Sequence, residues 1–229
     1  LYDRLKAGEL PEGFDKAIDD LEATFEVGKG VATRGASGSV LNAIAAVMPE
    51  LWGGSADLGG SNKTDLKGAA TFAPAECATK QWPVCSPYGR QLHFGVREFT
   101  MGTITNGILL GSHTRPFGGT FFMFSDYERS AVRLAALMQI PNLYVWSHDS
   151  VAVGEDGPTH QPVEHLASLR YIPNNDVWRP CDAVESAVSW KAAITRQDGP
   201  SCLVFSRQNL PHQPRDAEQI AQIERGGYV

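Results

Sequence analysis

Several features that would assign a functional class at once are scarce or absent in this sequence. It has four cysteines, and none of them forms a CxxC or CxxxC spacing, which disfavours a structural zinc site or a redox pair. The formal net charge is −6, so the basic face that a nucleic-acid partner requires is not expected. No apolar run approaches the roughly 20 residues of a membrane helix, and no signal-peptide pattern opens the chain. These absences predict a cytoplasmic protein with no nucleic-acid or membrane partner.

The sequence does contain a regular alternation of apolar segments that suits an α/β fold. With 229 residues, 42% of them apolar, it is long enough to bury a sizeable core. Short apolar runs predict strands, and apolar residues at helical spacing predict helices. The predicted strands span 51–55, 120–124, 142–147, 177–179 and 201–206, and the predicted helices span 13–25, 36–48, 97–110, 127–138, 163–169 and 182–196. This alternation indicates a parallel sheet with helices on both faces.

The chain divides into three segments. Residues 1–30 are mixed and charged, and we expect a linker with one short helix there. Residues 31–211 carry the α/β pattern, while residues 212–229 are polar and are expected to lead toward a further, C-terminal domain. Within the α/β segment, residues 59–93 lack clear periodicity and are expected to form a long surface loop. Because the sequence begins at Leu1 without a methionine, we expect it to be part of a longer chain.

The most informative segment is the polar loop that follows the predicted strand 142–147. It holds two histidines, His148 and His160, together with Asp149, Glu155 and Asp156. In open α/β sheets, ligands bind where loops leave the carboxyl ends of the strands. A single histidine there would usually cap a turn, but this density of titratable groups favours a functional site. The spacing fits neither an HExxH motif nor a calcium loop, so no metal site is predicted.

Other candidates have ordinary structural explanations beside functional ones. Glu98 stands where a helix begins, and its carboxylate could simply interact with the helix dipole. Phe121, Phe124 and Tyr127 are spaced three apart at a strand-to-helix junction. They could pack in the core or form a pocket for a ring.

Two arginines stand where a phosphate could bind. Arg207 follows the predicted strand 201–206, and Arg34 precedes the predicted helix 36–48. Either guanidinium could hold a phosphate through charge-assisted hydrogen bonds, although arginines in loops are usually solvated. The residue types alone leave both explanations open.

Six segments together resemble the pyrimidine-binding (Pyr) domain of the transketolases, a thiamine diphosphate-dependent family. In colinear order they are TRGAS (33–37), GGSADLGGSN (53–62), FGVREF (94–99), RPFGGTFFMFSDYERSAVRLAALM (115–138), SHDSVAVGEDGPTHQPVEHLASLR (147–170) and LVFSRQNLP (203–211). The sequence departs from the family pattern at Gly35, where lysine is typical, at Gly59 and Gly60, and in a longer loop over 63–90.

The resemblance implies a role for each candidate residue. The catalytic residues are expected to be Glu98, which is matched to a glutamate that hydrogen-bonds the pyrimidine N1′, together with His148 and His160. The expected cofactor contacts are Asp57, Glu98, Phe121, Phe124 and Tyr127. The expected substrate contacts are Arg34, Ser61, His148, Asp156, His160 and Arg207.

The resemblance also implies an activity for the whole enzyme. A two-carbon glycolaldehyde unit passes from a ketose phosphate to an aldose phosphate, a reaction of the pentose phosphate pathway. Thiamine diphosphate is the expected cofactor, and magnesium is expected on a diphosphate-binding domain, whose GDG-type motif this sequence lacks. That domain belongs to the same enzyme and pairs across a homodimer, so this chain alone is expected to be inactive. The alternatives are a phosphoketolase, a dihydroxyacetone synthase, or a non-catalytic assembly module with the same fold.

Overall fold

The architecture of residues 1–226 is taken from a computed structural model of the chain. Within these residues the α-helices are α1 Tyr2–Ala7, α2 Phe14–Glu22, α3 Thr33–Val47, α4 Gly59–Asn62, α5 Glu98–Gly111, α6 Ser125–Met138, α7 His165–Arg170, α8 Ala183–Thr195 and α9 Ala217–Gln222. The strands are β1 Val31–Ala32, β2 Leu51–Ser55, β3 Thr71–Phe72, β4 Cys85–Ser86, β5 Gln91–His93, β6 Arg115–Phe121, β7 Leu143–Ser147, β8 Asp176–Trp178, β9 Ser201–Phe205 and β10 Asn209–Leu210. In this part of the chain, no helix is both long enough and apolar enough to cross a membrane.

Eight of the strands form one parallel sheet. Their order is β4-β3-β5-β2-β6-β7-β9-β8, and every neighbouring pair is parallel. The central strands β6, β7 and β9 are buried along their whole length, which explains the mostly apolar sequences of β7 and β9. Helices α2, α3 and α8 pack on one face, and α5, α6 and α7 pack on the other. The predicted fold, a parallel sheet with helices on both faces, is confirmed.

Strand β7 shows how the two faces are filled. Leu143 and Val145 pack in the core beneath α3 and α8, whereas Tyr144 and Trp146 pack in the core beneath α6. Side chains of a strand alternate between faces, so one apolar run supplies both layers. The run ends at the polar residue Ser147, which marks the edge where the site begins.

The strand predicted over 120–124 is misplaced. Strand β6 begins five residues earlier, at Arg115, and residues 122–124 form a 3₁₀ turn. Proline is disfavoured inside a central strand, but Pro116 lies just before Phe117, where the pairing with β7 starts, so its missing N–H breaks no bond to β7. Gly118 is required by packing, because a Cβ there would lie 2.9 Å from the side chain of Met101 on α5.

The long loop predicted over 59–93 is wrong in part. Helix α4 opens this segment, and strands β3, β4 and β5 add one edge to the sheet. These strands are only two or three residues long. Such short elements leave no periodic pattern for a sequence-based prediction to detect.

The flanking segments are partly packed on the α/β unit. Helix α2 buries Phe14 and Ile18 in the main core, within the segment expected to be a linker. Strand β1 pairs with β10 in antiparallel fashion, so that Val31 lies opposite Leu210. The division into 1–30, 31–211 and 212–229 stays a prediction, and residues 227–229 of the last segment lie outside the described residues.

Candidate active site

The candidate site lies at the carboxyl edge of the sheet. Asp57 follows β2, His148 follows β7 and Arg207 follows β9, while Glu98 begins α5 just beyond β5. Asp57 and His148 both adopt left-handed backbone conformations, with φ of 64° and 62°. Such strained positions persist only where the surrounding structure holds them, and they concentrate at functional sites.

His148 is a buried imidazole with fixed orientation. Its Nδ1 lies 2.8 Å from the hydroxyl oxygen of Ser147, and its ring stacks on Phe121 with centroids 3.6 Å apart. Burial, followed by the nearby positive charge of Arg34, lowers the pKa of His148 to about 4. His148 is therefore neutral at physiological pH in the ligand-free chain.

Charged groups converge around His148. Asp156 Oδ2 lies 3.2 Å from Arg207 Nε and 3.9 Å from His148 Nε2. Arg34 Nη1 donates a hydrogen bond of 2.9 Å to the backbone oxygen of Ser61, and burial and the charge of Arg207 lower the pKa of Arg34. The structure thus brings together five of the six predicted substrate contacts in one polar cluster.

The aromatic residues form a row of rings beside the sixth contact, His160. Phe121 stacks with Phe124, and Phe124 stacks with Tyr127, with centroids 6.1 Å apart in both pairs. The row runs from buried Phe121 to Tyr127, which is 66% exposed. His160 meets the ring of Phe124 edge-on at 5.2 Å. The row therefore presents both flat ring faces and an imidazole at the sheet edge.

Glu98 occupies the first turn of α5 and is buried. No hydrogen bond from the described residues reaches its carboxyl group. A buried carboxyl group is ordinarily hydrogen-bonded, so Glu98 is available to a ligand that offers a donor.

A cavity of about 620 Å³ opens next to these groups. Its lining includes Asp57, Ser61, Trp82 and His93. Trp82 belongs to the long 63–90 segment and stacks on the His93 ring with centroids 4.0 Å apart. Burial lowers the pKa of His93. The cavity does not include Glu98, so within the described residues the predicted contacts do not share a single enclosed pocket.

Some supporting residues were not among the predicted catalytic, cofactor or substrate contacts. The amide of Asn62 lies 2.7 Å from the Ser147 hydroxyl and 3.0 Å from the Ser55 hydroxyl, so it ties together the ends of β2 and β7. Glu155 forms an ion pair with Arg207. The sequence contained two signals for these contacts. Asn62 ends the segment 53–62 that resembles the family, and Ser147 stands directly before His148.

A second histidine lies outside this cluster. His165 Nε2 is 3.0 Å from Asp126 Oδ2, and its Nδ1 is 3.9 Å from Glu164 Oε2. Asp126 also pairs with Arg129 at 2.9 Å. Each ring nitrogen therefore faces a different carboxylate, and Arg129 of α6 also donates a hydrogen bond of 2.7 Å to the Ser168 hydroxyl of α7, which links the two helices.

The parallel sheet, with polar side chains gathered at the carboxyl ends of its strands, defines an α/β ligand-binding domain. Over residues 29–213 the sequence matches the family described as "Transketolase, pyrimidine binding domain", and the chain belongs to that family. The family implies the use of thiamine diphosphate.

Known relatives agree with this membership. Transketolase of Mycobacterium tuberculosis is 53% identical over 232 residues, which cover 100% of this chain and 32% of the relative. The structure of Pichia stipitis transketolase in complex with sedoheptulose-7-phosphate is 42% identical with a TM-score of 0.88, covering 99% of this chain and 32% of that one. A split-gene transketolase, described as an inactive β4 tetramer, is 25% identical with a TM-score of 0.62, covering 82% and 55%. The chain spans about a third of the length of the first two proteins.

Proposed function

We propose that this chain is the Pyr domain of a transketolase that transfers a two-carbon glycolaldehyde unit from a ketose phosphate to an aldose phosphate. The observation that carries the proposal is the convergence of Arg34, Ser61, His148, Asp156 and Arg207 at one edge of the sheet. Guanidinium groups suit a phosphate, and imidazole and carboxylate groups suit sugar hydroxyls.

The wider setting of the enzyme belongs to the same proposal. The magnesium ion is held by a diphosphate-binding domain, which pairs with this chain across a homodimer. The enzyme is cytoplasmic and serves the pentose phosphate pathway. Family membership and the span of about a third of the relatives' length support this assignment of roles.

The residues present fit the pyrimidine half of the cofactor. The buried carboxyl group of Glu98 has no hydrogen bond from the described residues, which suits sharing a proton with a ring nitrogen. Phe121, Phe124 and Tyr127 offer a row of rings for the aminopyrimidine, and Asp57 borders the adjacent cavity. Thiamine diphosphate supplies the carbanion chemistry that breaks and forms the carbon–carbon bond. Glu98 holds the proton at the pyrimidine N1′, while the rings orient the heterocycle.

Phosphate binding changes the electrostatics of the histidine site. The charges of Arg34 and Arg207 contribute to the low pKa of His148. A phosphate dianion on these arginines offsets their charge, so the pKa of His148 rises toward its ordinary value when substrate binds. His148, with His160 beside Phe121, lies where an imidazole can exchange protons with the sugar hydroxyls.

The assignment of Arg207 to the phosphate gives a kinetic prediction. In the assembled enzyme, Arg207→Ala raises KM for phosphorylated donors roughly ten- to hundredfold, because a charge-assisted contact is worth about 1.5 to 3 kcal/mol. KM for hydroxypyruvate, which has no phosphate, changes much less. Steady-state kinetics with both donors measures the difference.

Arg179 provides a matched control for this prediction. It pairs with Asp149 of the same loop at 2.9 Å, as Arg207 pairs with Asp156. Arg179→Ala therefore removes a loop ion pair without removing a predicted phosphate contact. Arg207 would be excluded from phosphate binding if Arg207→Ala raised KM equally for phosphorylated donors and for hydroxypyruvate. It would also be excluded if Arg179→Ala changed the two KM values in the same ratio as Arg207→Ala.

Calorimetry tests the proposed half-site directly. Thiamine diphosphate and magnesium are titrated into this chain alone, and then into its mixture with the diphosphate-binding domain of a related transketolase. We expect binding in the mixture only, since this chain offers groups for the pyrimidine and none assigned to the diphosphate. Binding by the chain alone would contradict the two-domain site.

The same experiment addresses the alternatives. If thiamine diphosphate binds to neither sample, a non-catalytic assembly module is favoured. The relative described as an inactive β4 tetramer is an example of a similar chain without activity. If the mixture is active, release of acetyl phosphate instead of glycolaldehyde transfer would identify a phosphoketolase. The named relatives are transketolases, which supports transfer as the expected activity.

A further inference from the structure

A second carboxyl group lies inside the protein close to Glu98 and has no part in the proposed mechanism. Glu128, on α6, has an exposed fraction of 0%. Its Oε2 accepts a hydrogen bond of 2.9 Å from the indole nitrogen of Trp146. Its Oε1 is buried and has no hydrogen-bond partner among the described residues. A carboxylate in such a place is costly unless it keeps its proton.

The free oxygen of Glu128 is held against the helix that carries Glu98. Helices α5 and α6 touch at Gly102, where an added Cβ would lie 2.7 Å from Ala131 Cβ and 3.1 Å from Glu128 Oε1. Gly102 follows Glu98 by four residues, which places it one helical turn further along the same face. The absence of a side chain at Gly102 therefore lets the Glu128 carboxyl group approach the turn below Glu98.

The titratable groups coupled to Glu128 among the described residues are all acids. The charge of Glu98 on α5 acts on Glu128, and Glu128 in turn acts on Tyr144 of β7 and Cys202 of β9. Burial raises the pKa of Glu128 to about 8, the indole hydrogen bond opposes this rise, and the charge of Glu98 adds to it. The thiol and phenol stay neutral, since burial raises the pKa of both groups. Glu98 is thus the charged neighbour that opposes ionisation of Glu128.

We propose that Glu98 and Glu128 form a coupled pair of carboxyl groups in which the buried Glu128 keeps its proton beside Glu98. Glu128 is a positioning residue, because it acts on the cofactor site through Glu98. The meaning of the pair for catalysis rests on the proposed function of Glu98. The pairing itself concerns two side chains of this chain and needs no cofactor.

Infrared and near-ultraviolet spectroscopy of the full chain without cofactor test the pair. We expect a protonated carboxyl band at neutral pH that disappears with a midpoint near pH 8, together with a change in the Trp146 absorption. Glu128→Gln removes the band. An ionised Glu128 at neutral pH, seen as absence of the band in the wild-type chain, would overturn the proposal.

Two further variants leave Glu128 in place and change its neighbours. Glu98→Gln removes the like charge, so the midpoint falls. Trp146→Phe removes the donor that favours the ionised form, so the midpoint rises. A midpoint that is unchanged in Glu98→Gln would refute the coupling, even if calorimetry confirms the cofactor half-site.

Folding stability gives an independent readout of the same proton. The folded chain keeps this proton above pH 4.5, the ordinary pKa of glutamate, whereas the unfolded chain releases it. Stability therefore falls as pH rises toward about 8. The lowered pKa of His148 makes stability rise with pH, but only below the ordinary histidine pKa of 6.5. Above pH 6.5 the stability change therefore reports on Glu128 without a contribution from His148. Urea denaturation between pH 6.5 and about 8 is expected to show a free energy of unfolding that falls with pH for wild type and changes less for Glu128→Gln. Equal slopes of this free energy against pH in the two proteins would contradict the proposal.

Discussion

Replacement of Glu98 by glutamine is expected to remove nearly all two-carbon transfer from the assembled enzyme. A glutamine amide is close in size to the carboxyl group but cannot take or share a proton at the pyrimidine nitrogen. Loss of one acid–base group typically lowers a rate by about 10²- to 10⁴-fold. Single-turnover and steady-state assays of glycolaldehyde transfer measure this loss, and normal turnover in the variant would reject the role given to Glu98.

The fold should tolerate this substitution. Glu98 begins α5, so the change also removes a negative charge from a helix N-terminus, an effect of about 0.3 to 1 kcal/mol. Glu218→Gln is the matched control, since Glu218 stands in the first turn of α9 and is exposed. We expect both variants to unfold within about 1 kcal/mol of wild type and only Glu98→Gln to lose activity.

The largest expected effect on stability comes from Arg115. Its guanidinium is 7% exposed, and one nitrogen donates to the backbone oxygens of Ala193, Ile194 and Arg196, at 2.9, 3.1 and 2.8 Å. These oxygens lie at the end of α8, where helical carbonyls have no partner within the helix. Burial lowers the pKa of Arg115 to about 10, which still leaves it charged at neutral pH.

Arg115→Met is expected to cost about 3 kcal/mol or more of unfolding free energy. Methionine fills a similar space but leaves the carbonyl groups unsatisfied, at about 1 to 3 kcal/mol for each buried group. Chemical denaturation measures the change. Arg133→Met, at an exposed position of α6, controls for loss of charge and is expected to stay within about 0.5 kcal/mol of wild type. A loss in Arg115→Met no larger than in this control would mean that water replaces the guanidinium.

The sequence predicts the layered fold well because the buried strands carry strong patterns. Strands β7 and β9 are apolar except for one terminal serine each, and α3 has apolar residues at helical spacing before Pro49. Prediction fails where tertiary packing decides the structure. Pro116 is accommodated in β6 because pairing with β7 starts one residue later, and the short edge strands β3 and β4 gain their form from neighbours.

The candidate site shows the same division. His148, Asp156 and Arg207 could be selected from residue type and position, and their joint role came from resemblance to a family. Their mutual distances, and the contact between Arg34 and Ser61, depend on how distant strand ends meet. Glu128 gave no signal, because a charged residue in a helix normally lies on the solvated side. Only packing shows that its carboxyl group faces the interior.

The ribbon formed by β1 and β10 also determines how the α/β unit responds to tension. Val31 pairs with Leu210 and Ala32 with Asn209, so the two chain segments that flank the unit leave the ribbon at the same end. A force pulling those segments apart therefore separates the paired residues of the ribbon one pair after another from this end, instead of breaking all pairs at once. Tension on the segment before Val31 also reaches α2, whose residues Phe14 and Ile18 are buried in the main core. The ribbon and the packing of this helix therefore share the load before it reaches the strand ends that carry the site.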